Sequence, residues 1–143
     1  IKKTYFTGLL MLMGYGAAAD LNSAADTTFQ NQGNPIIKHK FTADPAALVY
    51  KDRVYLYAGH DQAKKGENRY VMNEWLCFSS DAMQQWTEHP SPLSYKDFSW
   101  SKGDCWASDV VERNGKFYWY VTTTHKEIHG KAIGVVLKVT SDD

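Results

Sequence analysis

The sequence predicts an all-β protein that forms the first roughly two blades of a β-propeller. The strongest observation is a repeated hairpin. In residues 43–57 an apolar run, a polar turn and an aromatic run follow one another, and a similar arrangement returns 63 residues later, where Val111 corresponds to Leu48. A repeat of this length indicates a repeated antiparallel sheet. Two further observations agree: few helical patterns follow residue 19, and aromatic residues, which favour strands, make up 14% of the chain.

The first predicted blade contains a compact hairpin around the polar turn Lys51-Asp52-Arg53. Its predicted elements are, in order, strands at 46–49 and 54–57, a charged loop at 60–70 and a strand at 74–79. Residues 79–86 resemble the Ser-x-Asp-x-Gly-x-x-Trp turn of sialidase-type propellers, with Met83 in place of the glycine. In that turn we expect the Ser and Asp side chains to bind backbone donors and Trp86 to pack between sheets.

The second predicted blade repeats the hairpin around Asn114-Gly115, a dipeptide typical of tight turns. A long proline-marked loop at 87–104 leads into strands at 107–111, 116–122 and 132–139. Two blades do not close a ring, because propellers have about four to eight. We therefore expect open strand edges and uncovered apolar sheet faces.

The sequence predicts three regions along the chain. Residues 1–19 have a basic start, an apolar stretch and three small residues, Ala17-Ala18-Ala19, which is typical of a secretory signal peptide. Residues 20–33 are polar and predict a flexible linker, and the propeller is expected to occupy residues 34–143. This arrangement predicts a secreted or periplasmic protein that does not stay in the membrane after signal cleavage.

Composition points towards neutral ligands. The formal net charge is zero, so no broad electrostatic field would attract nucleic acid. Aromatic rings suit the apolar faces of sugars. Cys77 and Cys105 are expected to be free, partly buried thiols. His125 and His129 have helical zinc-ligand spacing, but Gly130 and the strand pattern argue against a helix, so neither a metal site nor a cofactor is predicted.

An ordered set of motifs runs through residues 34–136. It includes Asn34-Pro35-Ile36, Thr42-Ala43-Asp44-Pro45, Tyr55-Leu56-Tyr57-Ala58-Gly59-His60-Asp61 and Trp106-Ala107-Ser108-Asp109-Val110-Val111-Glu112. Together these motifs resemble family 43 glycoside hydrolases, most of all the arabinoxylan arabinofuranohydrolases. The resemblance implies a five-bladed propeller that hydrolyses glycosidic bonds with inversion. It also implies that the general acid and its tuning carboxylate lie beyond residue 143, so the chain is expected to be truncated and inactive alone.

Asp44 is the predicted catalytic residue. It stands at the mouth of an apolar strand, and strand starts converge near the axis of a propeller. Inversion requires one carboxylate to take a proton from water, and the resemblance assigns this role of general base to Asp44. Pro45 is expected to hold Asp44 in an extended conformation.

Four other residues are predicted to bind substrate: Trp106, Asp109, Phe41 and His60. Trp106 is either a sugar platform or a core residue. Asp109 is placed in the pocket wall, because the resemblance argues against a catalytic role there. His60 either binds sugar hydroxyls or orders a loop together with Asp61.

The resulting functional hypothesis is an inverting glycosidase that removes arabinofuranosyl side chains from arabinoxylan, with a plant cell-wall polysaccharide or oligosaccharide as its partner. The alternatives are a non-catalytic carbohydrate-binding propeller and a purely structural propeller fragment. Aromatic and hydroxyl-binding residues would serve binding as well as catalysis, so the residues alone leave these alternatives open.

Overall fold

The computed structural model describes residues 25–139, which form two antiparallel β-sheets. The all-β prediction is confirmed, because the one helical segment in this range is a three-residue 3₁₀ turn at Tyr95–Asp97. No helix within this range is long and apolar enough to cross a membrane. The predicted signal peptide at 1–19 lies outside the described residues.

The first sheet, here called blade 1, has six strands. They are β1 (Thr27–Gln30), β2 (Phe41–Tyr50), β3 (Arg53–Asp61), β4 (Met72–Ser80), β5 (Gln85–Glu88) and β6 (Leu93–Ser94). Their order is β1-β5-β4-β3-β2, and β6 pairs with β4 beside β5. Strand β2 is therefore one edge of the sheet and β1 is the other.

The second sheet, blade 2, has four strands: β7 (Ser101–Gly103), β8 (Ser108–Arg113), β9 (Lys116–His125) and β10 (Lys131–Val139). Strand β9 is central. It pairs with β10 on one side and with both β7 and β8 on the other. The edge strand β8 contacts β2 of blade 1, so the innermost strands of the two blades are neighbours. The long loop predicted at 87–104 contains β6, the 3₁₀ turn and β7.

The sequence repeat corresponds to a repeat of strand register. Leu48 pairs with Tyr55 in blade 1, and Val111 pairs with Tyr118 in blade 2. Both connecting turns have positive φ at their two central residues: 47° and 60° at Lys51 and Asp52, and 55° and 73° at Asn114 and Gly115. These values are typical of type I′ turns, whose twist matches that of the strands. The predicted hairpins are confirmed.

The flexible linker predicted at 20–33 is wrong for residues 27–30. These residues form β1, which pairs with β5 from Thr27–Glu88 to Gln30–Gln85. The ring of Phe29 meets that of Phe78 edge-on at 6.1 Å. Polar composition misled the prediction, because a backbone ladder at a sheet edge needs no apolar side chains beyond one anchor. Residues 20–24 lie outside the described part of the chain.

The two blades pack through opposite faces. Leu48 and Tyr57 of blade 1 lie against a cluster that includes Val110 and Trp119 of blade 2. In the repeat, Leu48 corresponds to Val111, which is 41% exposed. The contact is therefore front face to back face, as expected for sheets related by rotation about an axis.

The free face of blade 2 is apolar. Val111, Tyr120, Ile133 and Val135 are 41%, 44%, 71% and 55% exposed, respectively. Their strand partners share this face, since directly paired residues in antiparallel strands point to the same side. The uncovered apolar face expected from the sequence is present.

The turn at 79–86 has the positive-φ backbone that favours glycine, although Met83 occupies that position. Met83 has φ +57°, and its carbonyl accepts hydrogen bonds from Trp86 Nε1 at 3.2 Å and Asn31 Nδ2 at 3.2 Å. Trp86 is buried, but within the described residues it packs against Phe78 in blade 1 and not between the two sheets as predicted. The predicted backbone bonds of the acidic residue are replaced, because Asp81 forms an ion pair with Arg53 at 2.9 Å.

Met83→Gly should stabilise the chain by about 0.5–1 kcal/mol, because a left-handed backbone strains any residue with a Cβ more than it strains glycine. Met83 is 50% exposed, so little burial is lost. Urea denaturation monitored by tryptophan fluorescence measures the effect. The matched control is Ala82→Gly, an exposed neighbour outside the positive-φ set, which should lose about 0.4–1 kcal/mol. Equal effects of both substitutions would contradict the strain argument.

A buried charge cluster joins the segment before β2 to the end of β5. Glu88 is 8% exposed, forms an ion pair with Lys40 Nζ and lies 2.6 Å from His39 Nε2. Burial alone would raise the pKa of Glu88, but the hydrogen bonds from Lys40 and His39 hold that pKa below its ordinary value. The carboxylate is therefore charged and paired in the folded state.

Glu88→Gln should lower the free energy of unfolding by about 1–3 kcal/mol near neutral pH, because Lys40 loses the charge of its acceptor and the hydrogen bond with His39 is weakened. Since the folded pKa lies below the unfolded one, this contribution is present above the unfolded pKa, about 4.3, and is lost as the pH falls through the folded pKa. Urea denaturation at neutral and acidic pH tests this, with the exposed Glu127→Gln as control. A difference that persists unchanged in acid would refute the assignment.

Candidate functional site

Asp44 lies in a β-bulge near the start of β2. The register between β2 and β3 shifts between Ala43 and Ala46, so the Asp44–Pro45 pair holds one residue more than the facing strand. Asp44 is exposed and has φ +51°. The predicted extended conformation is therefore wrong, because the bulge requires a turn that outweighs the preference imposed by Pro45. A left-handed backbone before proline is strained, and such strain is concentrated at functional sites.

Phe41 and His60 lie at the same end of the β2–β3 hairpin as Asp44. Phe41 begins β2 and is 78% exposed, while Thr42 pairs with His60. The hairpin therefore places an exposed carboxylate, an exposed aromatic ring and an imidazole within four positions of one strand end. These are three of the five predicted site residues. Phe41 and His60 lie on opposite faces of the sheet there, because Thr42 pairs with His60 and successive strand residues alternate.

Glu74 is a member of this group that the sequence did not reveal. Its Oε1 lies 2.6 Å from His60 Nδ1, and the two side chains are 25% and 16% exposed. Gln62 Nε2 donates to the same oxygen at 3.4 Å. Because Glu74 engages Nδ1, the imidazole is oriented and its Nε2 is the nitrogen left for a ligand. No local motif links residues 60 and 74; only the pairing of β3 with β4 joins them.

Asp61 orders the loop that follows His60. Its Oδ1 accepts hydrogen bonds from the backbone N–H groups of Ala63 at 3.0 Å and Val71 at 3.1 Å. A single carboxylate oxygen thus binds both ends of the charged loop predicted at 60–70. Of the predicted pair, Asp61 has the loop-ordering role and His60 is held by Glu74.

Gly59 allows blade 2 to approach the strained bulge. A Cβ at Gly59 would collide with the Met72 side chain and would lie 3.1 Å from the Cys105 carbonyl oxygen and 3.7 Å from the Ala43 carbonyl oxygen. Gly59 pairs with Ala43, the residue before Asp44. The backbone N–H of Cys105 also donates to the Met72 carbonyl at 2.9 Å. The segment that precedes β8 is thus packed beside the Asp44 end of blade 1.

Trp106 continues that segment, and both its backbone N–H and its backbone carbonyl form hydrogen bonds. Its N–H donates to the Thr122 carbonyl at 2.8 Å, and its carbonyl accepts from Trp75 Nε1 at 2.7 Å. The Lys131 ammonium lies 3.1 Å from the centroid of the indole ring. Trp106 Nε1 and Ser108 Oγ are buried and have no hydrogen-bond partner among residues 25–139. The predicted sugar platform therefore has one face covered by a lysine.

Asp109 is not the repeat equivalent of Asp44. By register it corresponds to Ala46, since Asp109 pairs with Tyr120 and Ala46 pairs with Tyr57. Asp109 and Tyr120 are exposed, whereas Val110 is buried against blade 1. The Asp109 side chain therefore lies on the face turned away from blade 1, where its Oδ1 accepts from the Val110 N–H at 2.9 Å.

Neither cysteine forms a disulfide, as predicted, and both are fully rather than partly buried. Burial is the main reason that the pKa of the Cys105 thiol is raised to about 12, so this thiol stays protonated. Within the described range no three His, Cys, Asp or Glu side chains are grouped to hold a metal ion.

Gly59→Ala should destabilise the chain by about 1–3 kcal/mol, because the Cys105 carbonyl is backbone and cannot rotate away from the added methyl group. Gly134→Ala is the matched comparison. A Cβ there would meet only side-chain atoms of Phe98 and Val121, at 3.3–3.5 Å, so the loss should be smaller. Urea denaturation of both variants gives the two values. A larger loss for Gly134→Ala would contradict the close approach of the Cys105 segment.

Comparison with known proteins agrees with this geometry. The model of the family "Glycosyl hydrolases family 43" matches residues 32–142. The chain is 31% identical to the arabinoxylan arabinofuranohydrolase of Bacillus subtilis (strain 168), with 90% of this chain and 28% of that protein covered. It is 32% identical to xylosidase/arabinosidase 43A of Humicola insolens, with 65% and 31% covered.

A solved structure shows the same fold. The crystal structure of CoXyl43, a β-xylosidase/α-arabinofuranosidase from a compost microbial metagenome in complex with xylotriose, has a TM-score of 0.68 and 28% identity, and covers 80% of this chain and 36% of that chain. The two blades thus correspond to part of the family's five-bladed propeller. The chain spans about a third or less of the length of each of these relatives. By the match over residues 32–142, the chain belongs to family 43 of the glycosyl hydrolases.

Proposed function

We propose that this chain supplies the amino-terminal blades and the general base of a glycosidase that hydrolyses O-glycosyl bonds in xylan- or arabinoxylan-type carbohydrates. The observation that carries the proposal is Asp44: an exposed carboxylate on a strained bulge, three positions along the strand from an exposed aromatic residue, within the region that matches the family. Backbone strain at an exposed residue destabilises the folded state, so we expect it to persist where the residue has a function.

Asp44 acts in this proposal by taking a proton from water. Hydrolysis with inversion needs a carboxylate on one face of the sugar to activate water and a protonated carboxyl on the other face to donate to the leaving oxygen. The proton passes to Asp44 as the water oxygen bonds to the anomeric carbon, and the leaving oxygen takes its proton from the second carboxyl. We assign that second carboxyl to none of residues 25–139, so the complete reaction needs further blades of the family propeller.

The neighbouring residues bind the sugar. Phe41 offers an exposed ring to an apolar sugar face. His60, oriented through Nδ1 by Glu74, offers its Nε2 to a hydroxyl group. Trp106 lies on the segment packed beside the bulge. Asp109 belongs to the pocket wall on the side away from blade 1.

The finer proposal is removal of arabinofuranosyl side chains from arabinoxylan. The relative named arabinoxylan arabinofuranohydrolase aligns with 90% of this chain, more than the 65% covered by the xylosidase/arabinosidase of Humicola insolens. The ordered motifs described above also resemble the arabinofuranohydrolases most.

Asp44→Asn should lower hydrolysis by about 10²–10⁴-fold, because the amide keeps the shape of the side chain but cannot accept the proton from water. Asp109→Asn, the matched control, should lower it less, since that side chain contacts its own backbone on the other face. Both are compared in a polypeptide that joins this chain to the remaining blades, with arabinoxylan and an aryl arabinofuranoside as substrates and NMR to identify the product anomer.

Near-normal turnover in Asp44→Asn together with its loss in Asp109→Asn would overturn the assignment of the base. Retention of anomeric configuration would refute the inverting mechanism. If the joined polypeptide binds arabinoxylan oligosaccharides but never hydrolyses them, the non-catalytic carbohydrate-binding propeller is the correct interpretation instead.

A further inference from the structure

The contact between Lys131 and Trp106 covers a ring that the sequence marks as a sugar platform. The ammonium nitrogen lies 3.1 Å from the indole centroid, close enough to occupy that face of the ring. Lys131 is exposed, and no carboxylate within the described residues lies at ion-pair distance from it. The lysine is therefore held by the aromatic ring and not by a salt bridge.

The covered ring carries a buried polar atom of its own. Trp106 Nε1 has no hydrogen-bond partner in the part of the chain described, and a hydroxyl-bearing ligand that reached it would remove the cost of leaving it unpaired. Ser108 Oγ is also buried without a partner there, but it lies on the face of β8 that carries Val110 and packs against blade 1, opposite to Lys131. The present arrangement of side chains is thus closed, and it leaves hydrogen-bonding capacity unused.

Hydrogen bonds anchor the loop before Lys131, and Lys131 itself is paired in a strand. The loop before it is fixed by His125 Nδ1, which accepts from the N–H groups of Glu127 and Ile128 at 3.1 Å each. Lys126 adds two bonds, from its N–H to the Trp100 carbonyl at 2.9 Å and from Nζ to the Ser99 carbonyl at 2.8 Å. Lys131 then begins β10, paired with Thr124.

We propose that Lys131 is a specificity-determining gate of the sugar site: its ammonium closes the indole face of Trp106, and a neutral sugar must displace it to stack there. This rests on the proposed function, because it assigns the gate to the same site. Lysine has the flexible stem and the compact charge that such a reversible cover needs.

The test is made with the full 143-residue chain and does not require hydrolysis. Lys131→Ala removes the ammonium and the stem that carries it, so it uncovers the indole face, which a methionine side chain would still contact. Lys116→Ala is the matched control, because it makes the same change at the first residue of β9, beside the turn of the hairpin and at the opposite end of the sheet from Lys131. Near-ultraviolet circular dichroism confirms that each variant has the packing of the parent chain.

Two measurements are made. The first is quenching of tryptophan fluorescence by acrylamide, with Trp106→Phe subtracted to isolate the signal of Trp106. The second is binding of xylotriose by titration calorimetry. Lys131→Ala should raise the quenching of Trp106 and tighten xylotriose binding by roughly two- to fivefold, the range expected from one exposed cation–π contact. Lys116→Ala should change neither, and the gain should shrink in the Trp106→Phe background.

Unchanged or weaker xylotriose binding in Lys131→Ala would overturn the gate, as would unchanged quenching of Trp106 or an equal effect of Lys116→Ala. These outcomes are separate from failure of the proposed base, since binding and quenching do not depend on proton transfer at Asp44. Conversely, tighter binding in Lys131→Ala would stand even if Asp44→Asn left hydrolysis unchanged.

Discussion

The contacts of Trp75 connect the two blades, and much of the site depends on them. The side chain is fully buried, meets Trp119 of blade 2 at 6.2 Å between ring centroids, and meets Phe98 edge-on at 6.4 Å. Its Nε1 also donates to the Trp106 carbonyl. One residue of β4 thus contributes apolar packing and a directed hydrogen bond to the neighbouring blade. Loss of a buried tryptophan side chain typically costs about 3–5 kcal/mol, before any loss of the hydrogen bond is counted.

The packing of blade 2 against blade 1 also explains how the strained backbone of Asp44 is tolerated at an exposed strand edge. Asp44 lies on the edge strand β2, where few neighbours constrain the backbone. Immediately beyond it, Ala43 and Gly59 are covered by the Cys105 carbonyl, which the backbone bond to Met72 holds in place. The packing of blade 2 therefore supports the bulge from one side and leaves the carboxylate in solvent. Rigid support under an exposed acidic group suits a residue that must meet a ligand in one orientation.

The residues around the bulge form two groups. Some hold neighbouring structure in place, and others are left available to a ligand. Asp61 uses one carboxylate oxygen to close a loop, and Glu74 holds the imidazole of His60. Asp44 and Phe41, by contrast, are exposed, and the polar atoms of Trp106 and Ser108 lack partners within the described chain. The blade end thus combines a rigid polar frame with unengaged groups, which agrees with the binding site that we propose there.

The sequence determined the strands, the hairpins and their register. A period of two along each strand and turn residues that tolerate positive φ act over a few positions, so Leu48–Tyr55 and Val111–Tyr118 follow from local rules. Local rules failed where a distant partner outweighed them. Residues 27–30 joined a sheet because β5 offered a free edge, and Asp44 left the extended region because a bulge formed opposite Gly59.

The composition of the site was only partly readable from the sequence. Asp44, Phe41 and His60 could be named because they lie close together on one hairpin and match family motifs. Glu74 and Lys131 could not be found, since they reach His60 and Trp106 across strand pairs separated by 14 and 25 positions. Such contacts depend on which strands become neighbours and on which face each side chain occupies. Only the assembled sheets decide that, because pairing energy is shared over whole strands and leaves no signal at a single residue.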